Sequence, residues 1–526
     1  MTIHLQLDRE SASPLYQQMA EEIVRLVGAG RLAPGERLPS VRDLASELGV
    51  NRNTVAQAYD TLARDGVVTR GVGRGTFIRE RGDIALDPPR RQIGRAPDSR
   101  VETNGREDTR HPTFDWPRRL GPRLAEKTRH VLSTLQSPPT SSKVIAFSRA
   151  TPDPDLFPTD EILALARDVL EKRSSLLFEY GPSPGHPPLR ELLMERLAAR
   201  GVCPDTTEIL ILNGSSQGLD LVARVLLHPG SRVGLEVPTY SGALNTFSLH
   251  DVEPVPAWVD EHGLRVEDLE AAARSGGLEL VYTMPSFHNP CGTTLPLSRR
   301  HQLLDLAREQ EIPVFEDDPE GELRFEGVEL PMLKALDTAD NVITSGTFSK
   351  IAFPGFRIGW LAVPRSLFEH VLALKTTTDI SSNAFPQVLF HEFLRRGLLE
   401  EHIERIKPVY RKRRDAMIEA LDEHLPDGVT FTRPEGGLVL WLDLPRGVSA
   451  RSLLRRTARR GVLFSPGDLF VPTGTREGLR LSYASVKKTA IERGVRILAE
   501  ELRNEMVEVA AGPSERPDLA SGLPLV

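Results

Sequence analysis

Lys350 stands in the run SGTFSKIAFPGFRIGW, seven residues ahead of Arg357. A lysine set among small hydroxyl residues can hold an aldehyde cofactor as a Schiff base, while Ser349 and Arg357 grip that cofactor's phosphate. Asp317 and Asp318 close the apolar run PVFEDD. A buried carboxylate there would face a pyridine nitrogen and keep it protonated, which makes the ring a better electron sink; a polar strand end would look the same. Ser215, Ser216 and Gln217 follow the run EILILNG. The N–H groups of a helix beginning at that point, with the serine hydroxyls, would make an anion cradle, although a plain helix cap has the same sequence. Tyr240 in VPTYSG can stack on a flat ring or fill a core. Asn289 in SFHNPCG can reach a ring hydroxyl or simply initiate an Asn-Pro turn. Arg480 in GLRLSYA can clamp a ligand carboxylate with both arms of its guanidinium, or sit in a structural ion pair.

These positions need a scaffold. Residues 143–508 alternate apolar β runs with helical stretches, the pattern of a parallel α/β sheet, and each candidate falls at the carboxyl end of a run. The first part of the chain reads differently. Leu15, Met19, Ile23, Leu26 and Val27 repeat at helical spacing before Gly28 and Gly30. Ser40 caps a short helix carrying Val41, Leu44, Ala45 and Leu48, which Gly49 ends. A third helix follows with Val55, Tyr59 and Leu62 inside. Short β runs over Val67–Thr69 and Thr76–Ile78 then flank the glycine-rich tip GVGRG.

Two helices joined by a tight turn, the second opening Asn51-Arg52-Asn53-Thr54, suit entry into the DNA major groove. Asn51 and Arg52 can meet base edges, Ser40, Arg42 and Thr54 suit phosphates, and Arg74 at the tip suits a minor groove or phosphate. The equally simple alternative is a small helical domain with a solvated polar end.

Charge is uneven along the 526 residues. The net charge is −7; residues 1–80 balance, residues 81–130 carry +4, and the rest carries −11. Such a distribution excludes a broad nucleic-acid-binding surface and keeps any DNA contact local. Residues 81–142, rich in Pro, Arg, Asp and Gly, read as a flexible basic linker with a short helix over roughly 122–135, and 509–526 read as a disordered tail. Cys203 and Cys291 form neither a disulfide framework nor a metal spacing, and no metal is expected. No apolar run is long enough to span a bilayer and no signal pattern opens the chain, so a cytoplasmic location and no membrane partner are expected.

Taken with their order, the motifs carry two resemblances. PLYQQMAEEIV, LPSVRDLASELGVNRNTVAQAYDTLARDGVV and GRGTF resemble the winged helix-turn-helix of the GntR family, giving a DNA-binding domain over residues 10–80. DPDLFP, YGPSPGHPPLRELL, NGSSQGLDL, VPTYSG, PSFHNPCGTTLP, FEDDPEGELRF, SGTFSK and GLRLSYA resemble class I/II aminotransferases of fold type I over 143–508. Together the whole chain resembles the MocR/GabR subfamily of bacterial regulators.

The resemblance implies a multidomain fold: a winged helix-turn-helix, then an α/β transferase domain with a mostly parallel sheet and a smaller C-terminal α/β subdomain. It implies pyridoxal 5'-phosphate as cofactor, with Lys350 as the Schiff-base lysine, Asp317 at the pyridinium and Asn289 at the ring oxygen. Tyr240 would stack on the ring. Ser215, Ser216, Gln217, Ser349 and Arg357 would surround the phosphate, Tyr180 would reach it from a neighbouring subunit, and Arg480 would hold the substrate carboxylate. The expected partners are operator DNA, an amino acid or amine effector, and a second copy of the chain. One departure stands out. The resembling family has a tyrosine where this chain has Glu320, in DDPEGEL. An ionised carboxylate accepts where a phenol donates, so transaminase activity is expected to be weak or partial. A working aminotransferase with a DNA-binding head is the alternative.

Overall fold

The computed structural model describes residues 15–28, 32, 35–36, 38–64, 67–71, 75–78, 119, 127–128, 131–132, 144–472 and 477–510. The chain divides into two compact units, Met1–Thr113 and Phe114–Val526.

In the first unit, α1 (Leu15–Gly28), α2 (Val41–Leu48) and α3 (Arg52–Arg64) precede a hairpin of β1 (Val68–Gly71) and β2 (Gly75–Ile78). Each strand begins or ends a residue or two away from its sequence reading, as frayed ends do. The helices meet on one apolar cluster: Met19, Ile23 and Leu26 of α1, Leu44 and Ala45 of α2, and Val55, Tyr59 and Leu62 of α3 are buried. Local signals fix the ends of α2. Ser40 accepts the N–H of Asp43 at 3.2 Å, and Gly49 closes the helix at φ 60°, where a side chain would be strained. The Tyr59 hydroxyl donates to the Pro39 carbonyl at 2.8 Å, pinning α3 to the turn before α2.

The second unit opens on β3 (Ile145–Ala146). Its main sheet then takes β4 (Thr207–Leu212), β5 (Arg232–Val237), β6 (Glu253–Asp260), β7 (Gly263–Leu264), β8 (Leu280–Thr283), β9 (Val314–Asp318), β10 (Val342–Thr347) and β11 (Gly359–Pro364). Their order across the sheet is β4-β11-β10-β9-β8-β5-β6-β7. The central pairs are parallel, whereas β11 runs antiparallel to both neighbours and β7 antiparallel to β6.

Central strands buried on both faces must be apolar almost throughout, and every residue of β10 and β11 is buried. Alternation sends Leu210, Leu235, Tyr282, Phe315 and Ile343 to one face, against the helices Ser215–Leu226 and Ser241–Leu249. Val281, Val314 and Val342 go to the other face, against Leu269 and Leu303.

A smaller sheet of β12 (Thr430–Phe431), β13 (Val439–Asp443), β15 (Ser465–Pro466) and β16 (Gly478–Ser482) lies apart, and β14 (Val462–Leu463) pairs with β3. Its inner residues Leu440, Leu442, Leu479 and Leu481 pack on Met417 and Leu421 of the helix Leu398–His424 and on Val495 and Leu498 of the helix Lys488–Ala510.

One boundary differs from the sequence reading. The last helix runs to Ala510 rather than stopping at Glu508, because Val509 still packs on this cluster; residues 511–526 lie outside the described residues. Lys127, within the expected linker, pairs with Asp251 at 2.6 Å. Of the short helix expected over 122–135, residues 127–128 and 131–132 are described, and they are helical.

Candidate functional site

Parallel strands deliver their loops to one edge of a sheet, and ligands bind outside those carboxyl ends. Here β4 leads to Ser215, β5 to Tyr240, β8 to Asn289, β9 to Asp317 and β10 to Lys350. Register places Asp317 directly beside Ser345, so Lys350 leaves the sheet next to the acid.

Lys350 is half-buried and its Nζ donates to the Ala150 carbonyl at 2.6 Å. Burial lowers its affinity for a proton, and the Glu320 carboxylate pulls that affinity back up. Asp317 is buried, while Asp318, on the opposite face of the strand, lies 3.4 Å from Arg200. The Tyr282 hydroxyl donates to Asp317 Oδ2 at 2.9 Å, whereas Oδ1 is buried with no donor on it. Burial raises this carboxyl to about 7, against the lowering effects of Tyr282 and Lys350. A carboxylate so placed fits a cationic ring N–H brought to Oδ1.

The anion cradle is built by close backbone approach. The helix Ser215–Leu226 starts without a side-chain cap, so the N–H groups of Ser215 and Ser216 have no capping side chain and suit an anion. Gly214 has φ 92°, and a Cβ there would come within 2.1 Å of Arg357 Nη2, so the guanidinium lies against the helix entrance. Gly359 is equally constrained, since its Cβ would meet Ser215 N at 2.6 Å. Arg357 itself sits at φ 54°, a left-handed conformation that costs an arginine roughly 1–3 kcal/mol. Ser349 Oγ lies 3.0 Å from Thr347 Oγ1. Ser216 bonds the Tyr240 hydroxyl, whose pKa burial raises. A cradle of N–H donors, hydroxyls and one arginine fits a phosphate.

Arg480 and Asn289 complete the pocket. Arg480 is buried on β16; its Nη1 donates to Asn289 Oδ1 at 2.9 Å, and its Nη2 to the Ser148 carbonyl at 2.9 Å and Ser465 Oγ at 3.0 Å. Phe470 backs the guanidinium at 4.9 Å. Nε is buried without an acceptor. Asn289, with its oxygen taken, offers its N–H₂ elsewhere, as a ring oxygen requires.

One expected residue is otherwise engaged. The Gln217 amide accepts the Asn213 N–H at 2.8 Å and donates to Asp379 at 3.0 Å, and its own backbone N–H bonds the Gly214 carbonyl. Tyr180 is 84% exposed.

Sequence reasoning missed Tyr282, Gly214 and the pair Glu236–His288. Glu236 accepts from Thr283 Oγ1 at 2.8 Å and Met284 N at 2.9 Å, and faces His288 Nε2 at 3.2 Å. Burial pulls the imidazole down, but Glu236 overrides it and raises His288 to about 10. Glu236 and Tyr282 lie in strands buried on both faces, so the runs RVGLEV and LVYT place them inside, but nothing local shows what they meet.

On the DNA-reading side, Asn51 Oδ1 accepts the Asn53 N–H at 2.9 Å and caps α3. A bidentate contact from Asn51 to a base would cost that cap, whereas Arg52 is exposed at the same helix start. The Ser40 hydroxyl likewise donates to Asp43 at 2.6 Å. Arg42 is exposed and Thr54 half-buried, and Arg74 lies outside the described residues.

Comparison with known proteins agrees with both halves. Residues 144–498 match the family model "Aminotransferase class I and II" and residues 15–78 match "Bacterial regulatory proteins, gntR family". The structure of Pyrococcus horikoshii kynurenine aminotransferase in complex with PMP superposes with a TM-score of 0.70 at 37% identity, covering 74% of this chain and 98% of that one. The HTH-type transcriptional regulator TauR of Rhodobacter capsulatus is 32% identical over 510 residues, covering 93% of this chain and 96% of TauR. The probable rhizopine catabolism regulatory protein MocR of Rhizobium meliloti is 28% identical over 496 residues, covering 94% and 95%. The chain thus belongs to the MocR-like regulators, in which a gntR-type DNA-binding domain is fused to an aminotransferase class I and II domain that takes pyridoxal 5'-phosphate.

Proposed function

We propose that this regulator changes its affinity for operator DNA when an amino acid or related amine occupies the cofactor site, and that it works as a homodimer. The observation that carries the reading is Arg480, a buried guanidinium with an unsatisfied Nε, sharing a hydrogen bond with Asn289 in the same chain that carries the helix-turn-helix.

Pyridoxal phosphate, when bound, supplies an aldehyde carbon that exchanges amines and a ring that withdraws electrons. The protein's part is positional. Lys350 anchors the aldehyde end. Asp317 holds the ring nitrogen's proton at Oδ1, and Asn289 donates to the ring oxygen. Ser215, Ser216, Ser349 and Arg357 neutralise the phosphate, Tyr240 covers the ring, and Tyr180 would serve the phosphate of the partner subunit. Arg480 orients a ligand carboxylate so that the ligand amine meets the place Lys350 occupies. Such a ligand alters DNA binding only through unequal affinity for two conformations of the body.

A second reading, a working aminotransferase, is favoured by the completeness of this constellation and opposed by Glu320. Fluorescence titration of operator DNA with the full-length protein, with and without a panel of amino acids and amines, tests the first. A ligand that shifts the operator Kd tenfold without sustained turnover supports it. Sustained transfer to a 2-oxo acid, with operator affinity unmoved by every ligand, would replace it with the second.

A further inference from the structure

Glu320 is buried, with 1% of its surface exposed, two residues past β9. Its Oε2 accepts the Leu438 N–H at 2.9 Å, while Oε1 is buried with no donor on it. One backbone N–H does not satisfy a buried carboxylate, which needs a cation close by or must take up a proton.

Its charged and titratable surroundings are few. Arg480 is engaged through both terminal nitrogens with Asn289, Ser148 and Ser465, while its Nε is buried without an acceptor. Asp318 faces Arg200. The Tyr483 hydroxyl bonds the carbonyls of Gly436 and Gly437, and the Tyr410 hydroxyl accepts from Asp153 N. Lys350 has the most donors left to give. It has three N–H bonds to give and donates one, to the uncharged Ala150 carbonyl. Glu320 and Lys350 follow the ends of the paired parallel strands β9 and β10, and each bonds a backbone group rather than the other.

We propose that Glu320 is the counter-ion of the Lys350 nitrogen and keeps a proton on it, both in the free amine and when that nitrogen carries the cofactor. The inference rests on the reading of Lys350 as the cofactor's anchor. Burial drives Glu320 up and Lys350 down, and in each case the other residue is the strongest charge opposing that drift. Asp317 also favours a proton on Lys350, and Arg480 works against it there while favouring the ionised form of Glu320. Asp318 pushes the other way on Glu320. A phenol at this position would donate a hydrogen bond; a carboxylate attracts a cation instead, and so favours the charged form of the anchoring nitrogen against burial.

The test is a pH titration of the absorbance of the bound cofactor in full-length wild type, Glu320→Gln and Glu320→Asp. The amide keeps the shape and loses the charge, so its midpoint is expected to fall by about one unit or more, a tenfold weaker hold on the proton. Glu320→Asp keeps the charge at a greater distance, is expected to titrate between the two, and guards against a folding defect in the amide. An E320Q midpoint equal to wild type, or an E320D midpoint outside that interval, overturns the proposal. Acetylation of Lys350 by acetic anhydride in the cofactor-free chain, read by peptide mass, gives a second curve. E320Q is expected to react at lower pH than wild type, and coincident curves overturn the proposal. A wild-type chain that attaches no cofactor at all would instead sink the reading of the site, a separate failure from a midpoint that does not move.

Discussion

Arg480 Nη1 and Asn289 Oδ1 are 2.9 Å apart, both buried, and they come from positions 191 residues apart in the chain. The bond joins β16 of the smaller sheet to the loop after β8 of the main one, so the group that would hold a ligand's carboxylate and the group that would hold the cofactor ring are one unit. It also fixes the Asn289 amide: with its oxygen on a guanidinium, its nitrogen is the side left to face the ring.

The Arg480→Ala variant is expected to lose its response to a carboxylate ligand while operator binding in the absence of ligand stays near wild type. Removing one partner of a buried hydrogen-bonded charge pair costs about 2–5 kcal/mol in ligand binding. Arg480→Lys should not rescue, because an ammonium lacks the planar fork that grips a carboxylate with two parallel N–H bonds while holding Asn289 and Ser148. An unchanged ligand response of the operator Kd in Arg480→Ala would remove the carboxylate clamp from the mechanism.

Lys350→Ala should abolish covalent attachment of the cofactor, measured as label retained after borohydride reduction and peptide mapping. Phosphate contacts alone would still hold the cofactor weakly. A reduced adduct surviving elsewhere in the chain would reassign the anchor.

Asp317 gives a pH signature. Its carboxyl stands at about 7 in the folded chain, raised from an ordinary 3.8 by burial. As pH rises through this window, the unfolded chain releases its proton first and the folded chain keeps it, so stability falls between the two values and levels off above about 7. In cofactor-free protein, Asp317→Asn should therefore melt at a higher temperature than wild type at pH 7.5, the two converging toward pH 4. A gap in Tm that stays constant with pH would contradict the buried, unmatched Oδ1. The same variant should bind the cofactor more weakly, since an amide cannot hold a ring cation.

At the DNA end, Arg52→Ala should cost about 1–3 kcal/mol on the specific operator and leave cofactor absorbance unchanged. An equal loss on random DNA would make Arg52 a phosphate contact. Asn51→Ala, by contrast, removes the cap on Asn53 N–H and should cost about 1 kcal/mol of helix stability, seen as a lower Tm of the isolated transition.

The local signals in the sequence determined a great deal. Ser40 and Gly49 delimit α2 because a cap hydroxyl and a left-handed glycine act within one helical turn. The apolar runs ending at Asp317 and Lys350 became β9 and β10 because a doubly buried strand has to be apolar, and the sheet's edge then receives whatever follows each strand. The bonds between these residues were not legible. That Tyr282 would donate to Asp317, that Gln217 would turn to Asp379, and that Arg480 would lean on Asn289 depend on which strands, helices and loops lie side by side. A strand's sequence states its period and its burial but not its neighbour; the order β4-β11-β10-β9-β8-β5 is a property of the folded chain. The chemistry was written in residue types at strand ends, and the tertiary structure alone decided which of those residues would share a proton, because hydrogen bonds act over about 3 Å while their partners are separated by up to hundreds of residues.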